Sequence, residues 1–321
     1  VTNWLHINQI ESQYKVKRGS PQFWAIIDKV AADMIDHRQN VIFTPLSLIK
    51  STRLPSGSYA FDFKDYEKWV QIFMKKGFVA IEGSHLFHPG NSYDLYHHVG
   101  GSPVGVRFDR RQLATPEGKT YVATLLTALH RENMKLGIHD KYLQHVGDEP
   151  KPEELVLYRD IAAIVRRAMP GVPIVDAIEL PPERLEGMAD IPVTLLGKPT
   201  SRISVGANAR WGKWWYTAVV PTGRFPNRFI DFPLVKMRVI PWLSWCNGMS
   251  GYLHYAYNWW FTPSGKSPWE DVGQSGTYPP GDGFVVYPPQ NKKGASPVTS
   301  FRWEVFRDGL EDYEYILLLK Q

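Results

Sequence analysis

The sequence predicts an α/β protein with the architecture of a (β/α)8 TIM barrel, and three observations support this prediction. Eight short apolar runs alternate with helical or unassigned connections along the 321 residues. Strands joined by helical crossovers run parallel, because each crossover returns the chain to the same direction. No Gly-x-Gly-x-x-Gly segment follows the first run and no Walker loop occurs, which disfavours an open nucleotide-binding sheet. We therefore predict one domain over residues 1–321.

The first half of the chain contains four strand and helix units. The predicted strands are Leu5–Ile10, Asn40–Pro45, Phe78–Glu82 and Tyr142–Gly147. The predicted helices run from Pro21 to Ile35, from about Asp62 to Gly77, from Pro116 to near Gly137, and from Pro152 to Pro170. Ser20 and Thr115 each precede a proline, which is typical of an N-cap followed by proline at the first helical position.

The second half contains four more strands with less regular connections. The predicted strands are Val172–Ile178, Ile191–Leu196, Trp214–Val220 and Gly251–Tyr257. The connection at Pro182–Met188 is predicted to be a short helix, Pro199–Lys213 is left unassigned, and Phe229–Trp245 is predicted to be a helix. A Pro/Gly-rich loop at about 262–297 precedes a last helix over Ser300–Leu319.

Composition excludes several classes of protein. The net charge of +5 comes from 37 Lys+Arg against 32 Asp+Glu, and the longest basic runs are pairs, so we expect no nucleic-acid partner. The single Cys246 excludes a disulfide scaffold and a multi-thiolate metal site. No apolar run approaches the ~20 residues of a membrane span and no signal-peptide pattern is present. We expect a soluble chain without a cofactor, whose compartment (cytoplasmic or secreted) and oligomeric state stay open.

Chemistry in a barrel of this kind is found at the carboxyl ends of the strands. The residues at the predicted ends are Thr44, Glu82, His85, Asp148, Glu149, Asp176, Tyr216, Tyr257 and Asn258. Carboxylates are frequent in this set. Burial among aromatic side chains raises the pKa of a carboxyl group, as a general acid near neutral pH requires.

The adjacent acids Asp148 and Glu149, within the segment HVGDEP at 145–150, carry the strongest local signal. Two neighbouring carboxylates repel each other, so a shared site tends to keep one ionised and the other protonated. On a regular strand they would point in opposite directions, but Gly147 permits a bulge that would turn both toward one ligand. The alternative is a solvated turn.

Histidines after the third strand suggest a metal site as a further alternative. His85-x-x-His88 and the pair His97 and His98 lie near Asp94, a set that zinc could use. Polar lining of the site is the favoured interpretation, and we predict no metal.

Six separated segments in order carry a resemblance to a known family. They are EGSHLF at 82–87, HVGDEP at 145–150, PNRFID at 226–231, GYLHY at 251–255, PGDGFVVYP at 280–288 and RWEVFRDGLEDYEY at 302–315. Together they resemble the catalytic domain of glycoside hydrolase family 123, from about Asn3 to the C-terminus. Members typically carry an N-terminal β-sandwich, and we expect that domain to be absent from this chain.

The resemblance implies an exo-acting N-acetyl-β-galactosaminidase that acts on a glycan or glycoconjugate. The 2-acetamido oxygen of the sugar would attack the anomeric carbon and form an oxazolinium intermediate, outside the two-carboxylate nucleophile scheme. By position, Asp148 would orient and polarise the acetamido group. Glu149 would protonate the leaving oxygen and later deprotonate water.

Other residues are predicted to line the sugar pocket. Eight of the 12 tryptophans fall between residues 211 and 269, and their number favours a pocket wall. Trp215 and Trp259 are candidates to stack on the sugar, with core packing as the open alternative. The remaining predicted contacts are Glu82, His85 and Asp176 to hydroxyls, Tyr216 and Tyr257 to the acetamido carbonyl, and Asn258 by its place at a strand end. Two other functions remain open: a glycosidase for a non-acetamido sugar, and a non-catalytic carbohydrate-binding or structural protein.

Overall fold

The computed structural model describes residues 1–87, 95–99, 105–180, 184, 188–198, 210–290 and 295–320. The strands are β1 (Thr2–Asn3), β2 (Val41–Thr44), β3 (Lys50–Arg53), β4 (Tyr59–Asp62), β5 (Ala80–Gly83), β6 (Tyr96–Val99), β7 (Gly105–Arg107), β8 (Tyr142–Gln144), β9 (Val175–Ile178), β10 (Ile191–Leu195), β11 (Lys213–Tyr216), β12 (Met249–His254), β13 (Val286–Tyr287) and β14 (Val298–Thr299). The helices are α1 (Ile7–Tyr14), α2 (Pro21–Asp36), α3 (Lys64–Lys75), α4 (Arg110–Ala114), α5 (Pro116–Lys135), α6 (Leu155–Ala168), α7 (Leu234–Cys246) and α8 (Phe301–Lys320).

Eight parallel strands form the centre of the fold in two sheets. One sheet has the order β1-β12-β11-β10-β9 and the other has the order β2-β5-β8. Backbone hydrogen bonds connect the sheets on both sides, from Val41 N to Val1 O at 3.1 Å and from Gln144 N to Pro173 O at 3.0 Å. The result is a curled parallel arrangement that brings the carboxyl ends of the strands to one end.

Apolar side chains fill two layers, one on each face of the curled sheet. Trp214 and Tyr216 belong to the inner cluster, together with Trp4 and Phe43. Trp215, between them in sequence, belongs to the larger outer cluster that packs against the helices. This alternation is the period of two that a strand imposes, because successive side chains point to opposite faces.

The predicted helix starts are confirmed where the sequence placed N-caps. Ser20 accepts a hydrogen bond from the Phe23 N–H at 3.2 Å, and Thr115 accepts one from the Gly118 N–H at 3.1 Å. Each side chain satisfies a backbone donor that has no partner within the first helical turn. Five predicted strands and the helices over α2, α3, α5, α6 and α8 match observed elements within a few residues.

The first predicted strand, Leu5–Ile10, is wrong. The strand that joins the sheet is β1, and Ile7–Tyr14 is the helix α1. Ile7, Ile10 and Tyr14 are buried at a spacing of three and four residues, which is the helical period. A short apolar run does not distinguish these two structures by itself.

A four-stranded sheet with the order β4-β3-β6-β7 was not predicted. Its strand β3 reads Lys-Ser-Thr-Arg, so it carries no apolar pattern that would mark it in the sequence. The seventh and eighth predicted strands are shorter or shifted, at β11 and β12, and the helix predicted over Phe229–Trp245 starts later, at Leu234. The predicted connection Pro182–Met188 and the unassigned segment Pro199–Lys213 lie mostly outside the described residues.

Candidate active site

Asp148 and Glu149 follow β8 at the carboxyl end of the sheet. The Glu149 N–H donates to the carbonyl oxygen of Ala177 at 3.1 Å, which ties this turn to the neighbouring strand β9. The backbone of Glu149 has a φ of 41°, a left-handed conformation that side chains other than glycine rarely adopt. Strain of this kind at a carboxylate is typical of functional sites. Both acids are half-buried.

Gly147 serves a different purpose from the bulge that the sequence suggested. A Cβ atom at this position would lie 2.5 Å from the Phe87 ring, and residues 87 and 147 form a parallel bridge. The glycine is therefore required by the close approach of two chain segments. The left-handed turn occurs two residues later, at Glu149.

Burial and the neighbouring negative charges act on the Glu149 carboxyl in the same direction. Burial raises its pKa, and the negative charges of Asp148 and Glu179 add to this effect, whereas the hydrogen bond from Tyr216 and the charge of Lys151 oppose it. The Tyr216 hydroxyl donates to Glu149 Oε1 at 2.5 Å. Because Tyr216 also belongs to the inner apolar cluster, this bond anchors Glu149 at the mouth of the curled sheet.

A buried histidine lies beneath the two acids. His145 Nε2 is 2.9 Å from Glu82 Oε1, and His145 Nδ1 is 3.1 Å from Asp176 Oδ1. Burial disfavours the charged ring, but the hydrogen bonds to the two carboxylates raise the pKa of His145 to about 9. The imidazolium therefore carries a buried positive charge at neutral pH.

The two carboxylates beside His145 are fully engaged within the protein. Asp176 accepts hydrogen bonds from the Tyr158 hydroxyl at 2.6 Å and from the Val146 N–H at 3.1 Å. Glu82 accepts a further bond, from Thr2 Oγ1, at 2.6 Å. Both acids have no exposed surface, a position that does not support the predicted contact with sugar hydroxyls.

His85 lies between the rim and this buried group. Its Nε2 atom is 3.9 Å from Asp148 Oδ1 and 4.0 Å from Asp176 Oδ1. The ring centroid is 4.4 Å from that of His145 and 5.1 Å from that of Trp4. His85 is only 7% exposed, a position that gives little support to the predicted contact with a sugar hydroxyl.

Four other predicted sugar contacts occupy different places. Trp215 packs in the outer layer, where its Nε1 donates to Ser244 Oγ at 3.0 Å, and the Tyr257 hydroxyl donates to Asp33 Oδ2 at 2.6 Å. Asn258 is buried and its side chain bonds to both backbone groups of His6. The structure does not bring these three together with the acidic pair. Trp259 is half-buried, with its ring 4.8 Å from that of His6.

Sequence reasoning missed a second polar cluster, at the carboxyl end of β12. Tyr255 is half-buried against the inner apolar cluster, and its hydroxyl donates to Asp282 Oδ2 at 2.7 Å. His254 Nε2 lies 3.2 Å from the other oxygen of the same carboxylate. Both segments belong to the motifs that carry the family resemblance, which is the signal that pointed toward them.

The described residues contain one group with the spacing of metal ligands. Donor atoms of His85, His145 and Asp176 lie within 4.8 Å of one another. Both ring nitrogens of His145 already face carboxylates, and Asp176 also accepts from Tyr158 and Val146. His88, Asp94 and the side chains of His97 and His98, which suggested zinc, lie outside the described residues.

A family model confirms the resemblance. The model described as the catalytic domain of glycoside hydrolase 123 matches residues 4–319. The chain belongs to glycoside hydrolase family 123. No curated protein sequence matches it.

A solved structure shares the fold of this family 123 chain. A family 123 glycoside hydrolase from Clostridium perfringens, described in terms of glycolipid glycan hydrolysis, superposes with a TM-score of 0.75 at 15% identity. The match covers 98% of this chain and 58% of that one, so the chain spans less than two thirds of its neighbour. A β-galactosidase from Rahnella sp. R3 matches with a TM-score of 0.48 and 11% identity, over 89% of this chain and 53% of the other.

Within the described residues, the helices are too short or too polar to cross a bilayer. Residues 4–319 carry the catalytic domain described for glycoside hydrolase family 123. Its acidic pair is supported from below by the Glu82, His145 and Asp176 group.

Proposed function

We propose that this family 123 chain is a single-domain (β/α)8 TIM barrel that removes a terminal β-linked N-acetylgalactosamine with retention of configuration. The observation that carries the proposal is that the two adjacent acids have different surroundings. Burial raises the pKa of Glu149, and the Tyr216 hydroxyl donates a hydrogen bond to it. In contrast, His85 Nε2 lies 3.9 Å from Asp148 Oδ1. Two neighbouring carboxyl groups with different surroundings are suited to two different roles.

In the first step, Asp148 accepts a hydrogen bond from the acetamido N–H and so increases the electron density on the acetamido oxygen. That oxygen attacks the anomeric carbon while the glycosidic C–O bond breaks. Glu149, whose pKa burial raises, gives its proton to the leaving oxygen. The product is an oxazolinium ion, whose positive charge the ionised Asp148 stabilises.

In the second step, water attacks the anomeric carbon and gives a proton to Glu149. The carbon–oxygen bond of the oxazolinium ring breaks, and the acetamido group is restored. Glu149 returns to its acid form, so the cycle needs no further group. Both acids can act from adjacent positions, because the acetamido nitrogen and the leaving oxygen flank the same carbon.

We also propose a class of aglycone. Glycolipid glycan hydrolysis is described for the Clostridium perfringens family 123 enzyme. We extend this to the present chain as a substrate class, a glycolipid or another glycoconjugate with a terminal N-acetylgalactosamine.

The test compares nitrophenyl N-acetyl-β-galactosaminide, its β-glucosaminide counterpart and the plain β-galactoside. We expect turnover of the first, and a loss of kcat in Glu149→Gln of about 10²- to 10⁴-fold, which is the usual contribution of a general acid. Glu311→Gln is the matched control, because Glu311 lies in α8, is 37% exposed and pairs with Arg38 at 2.8 Å. That variant should keep kcat within about twofold of the wild-type value, in line with an exposed ion pair.

Two outcomes would contradict the proposal. Comparable turnover of the plain galactoside would remove the acetamido mechanism and favour a glycosidase for another sugar. Binding of an N-acetylgalactosamine thiazoline, which resembles the cyclic intermediate, without turnover of any of the three substrates would indicate a non-catalytic carbohydrate-binding protein.

A further inference from the structure

His85 has an environment that fixes its ring in one orientation. The edge of the ring faces Trp4 at 5.1 Å and the ring lies 5.9 Å from Phe43, while Trp4 and Phe43 stack on each other at 4.5 Å. The third ring beside it is that of His145, at 4.4 Å. A side chain held by three other rings has little rotamer freedom, so the direction of its Nε2 atom is set before substrate binds.

The Nε2 atom of His85 lies midway between two carboxylates with different roles. Asp148 Oδ1 at the rim is 3.9 Å away, and the buried Asp176 Oδ1 is 4.0 Å away. These separations are longer than a hydrogen bond. Catalytic hydrogen bonds are often long without a bound substrate and shorten when the site is occupied.

The buried Asp176 cannot move toward His85, because its other contacts hold its carboxylate in place. Asp176 is bonded to His145 Nδ1, the Tyr158 hydroxyl and the Val146 N–H. Asp148 has a side chain that is 23% exposed and belongs to a turn. It is therefore the carboxylate that can approach the imidazole.

We propose that His85 is the positioning residue for Asp148: its Nε2 edge fixes Oδ1 of this carboxylate and leaves Oδ2 for the acetamido N–H of the substrate. This inference rests on the proposed function and names the residue that orients its acetamido-binding acid. His85 does not touch the sugar in this arrangement. The His145 group beneath it provides the rigid base on which the ring rests.

The role predicts a specific kinetic defect. Poor orientation of Asp148 slows the attack of the acetamido oxygen, a step common to every leaving group. Misplacing a reacting group by about 1 Å costs on the order of 10²-fold, so we expect His85→Asn to lower kcat by about 10- to 100-fold. His85→Gln should restore most of the activity, because the amide nitrogen of glutamine reaches the position of the histidine Nε2 atom.

The experiment uses a series of aryl N-acetyl-β-galactosaminides whose phenols differ in acidity. For His85→Asn we expect the same fold-loss across the series, whereas for Glu149→Gln the loss should increase as the phenol becomes a poorer leaving group. His139→Gln is the control, because His139 is exposed at the opposite end of β8, and it should leave kcat unchanged. Melting temperatures of all variants check that each one is folded.

Each remaining outcome overturns the assignment. If the loss of kcat in His85→Asn grows with the pKa of the phenol, His85 positions Glu149 and not Asp148. A raised KM with unchanged kcat would make it a sugar ligand. A stoichiometric metal ion in the wild-type protein that His85→Asn fails to retain would make it a metal ligand. If the wild-type protein prefers the plain galactoside, the proposed function itself has failed, and this result is distinct from all three.

Discussion

Two buried histidines at the same end of the sheet differ in charge: one ring is a cation and the other is neutral. The first is His145 after β8, between Glu82 and Asp176, and we call these three residues the β8 group. The second is His254 at the end of β12, which with Asp282 and Tyr255 forms the β12 group. Each histidine bonds to an aspartate at about the same distance, 3.1 Å in the first group and 3.2 Å in the second.

The partner of the second ring nitrogen decides the charge. In the β8 group, both nitrogens of His145 face carboxylate oxygens, so both carry protons and the ring is an imidazolium. In the β12 group, His254 Nδ1 accepts the Ala256 N–H at 3.2 Å. That nitrogen therefore carries no proton, and the ring is neutral with its proton on Nε2.

A nearby guanidinium strengthens the difference. Arg228 is fully buried and donates to Asn3 Oδ1 at 2.7 Å and to the Ala256 carbonyl oxygen. Burial and the positive charge of Arg228 lower the pKa of His254 to about 4. Burial alone would raise the pKa of Asp282, but the hydrogen bonds from His254 and Tyr255 and the charge of Arg228 hold it below its ordinary value. The same type of histidine–aspartate pair thus holds a cation at His145 in the β8 group and an anion at Asp282 in the β12 group.

The largest expected effect comes from removing a carboxylate of the β8 group. Asp176→Asn leaves the His145 cation with one carboxylate, and it replaces the acceptor of the Tyr158 hydroxyl. Breaking a buried ion pair by removing one partner typically costs about 3–5 kcal/mol. We expect a loss of this size in the free energy of unfolding, measured by urea denaturation at pH 7.

The control for this variant is Asp160→Asn. Asp160 pairs with Lys119 at 2.7 Å, and its side chain is 46% exposed, so its loss should cost at most about 1 kcal/mol. Equal effects of the two substitutions would mean that the β8 group carries no buried charge.

The pH dependence of stability should separate the two groups, with an expected size of about 3 kcal/mol for each. The pKa of His145 rises from the ordinary 6.5 to about 9 on folding, so its contribution is complete below pH 6.5 and is lost as pH rises to 9. The pKa of His254 falls to about 4. The unfolded chain then binds the extra proton first, so stability is lost as pH falls from 6.5 to 4.

Single variants test which histidine is responsible for the loss of stability at alkaline pH and which for the loss at acid pH. His145→Gln should flatten the plot of unfolding free energy against pH on the alkaline side, and His254→Gln should flatten it on the acid side. The reverse assignment, or an unchanged slope in both variants, would contradict the charge states inferred here.

The sequence predicted the acidic pair because its signal is local. Asp148 and Glu149 are neighbours in the chain, and the alternation of strands and helices assigned them to a strand end. The β12 group has no such signal, since Asp282 lies 28 residues after His254 and only the folded loop brings them together. Pairings across that distance depend on tertiary structure.

The sequence did not predict which face of each strand points to the interior of the fold. A period of two requires Trp215 and Tyr216 to face opposite sides of β11, but it does not say which side is the interior. The structure assigns Tyr216 to the inner cluster and Trp215 to the outer one. Glu82 and Asp176 were likewise identified at strand ends, but their complete burial depends on the neighbouring elements that supply His145, Thr2 and Tyr158.

The smallest expected effect compares the two tyrosine–carboxylate bonds of these regions. Tyr216 donates to Glu149 at 2.5 Å and Tyr255 donates to Asp282 at 2.7 Å. The Tyr216 hydrogen bond favours the ionised form of Glu149 and lowers a pKa that burial has raised, so Tyr216→Phe should raise that pKa further. A hydrogen bond of this type contributes about 1 kcal/mol, which corresponds to less than one pH unit.

The readout is the pH profile of kcat/KM for an N-acetyl-β-galactosaminide. Because the general acid must be protonated in the free enzyme, the limb on which kcat/KM falls with rising pH should move to higher pH in Tyr216→Phe. Tyr255→Phe should leave this limb in place, because His254 and Arg228 still hold Asp282 in its ionised form. A shift of this limb to lower pH in Tyr216→Phe would mean that Tyr216 does not favour the ionised form of Glu149. If instead the limb on which kcat/KM rises with pH moves to higher pH, Glu149 acts as a base in the first step. Equal shifts in both variants would mean that the two regions are electrostatically one site.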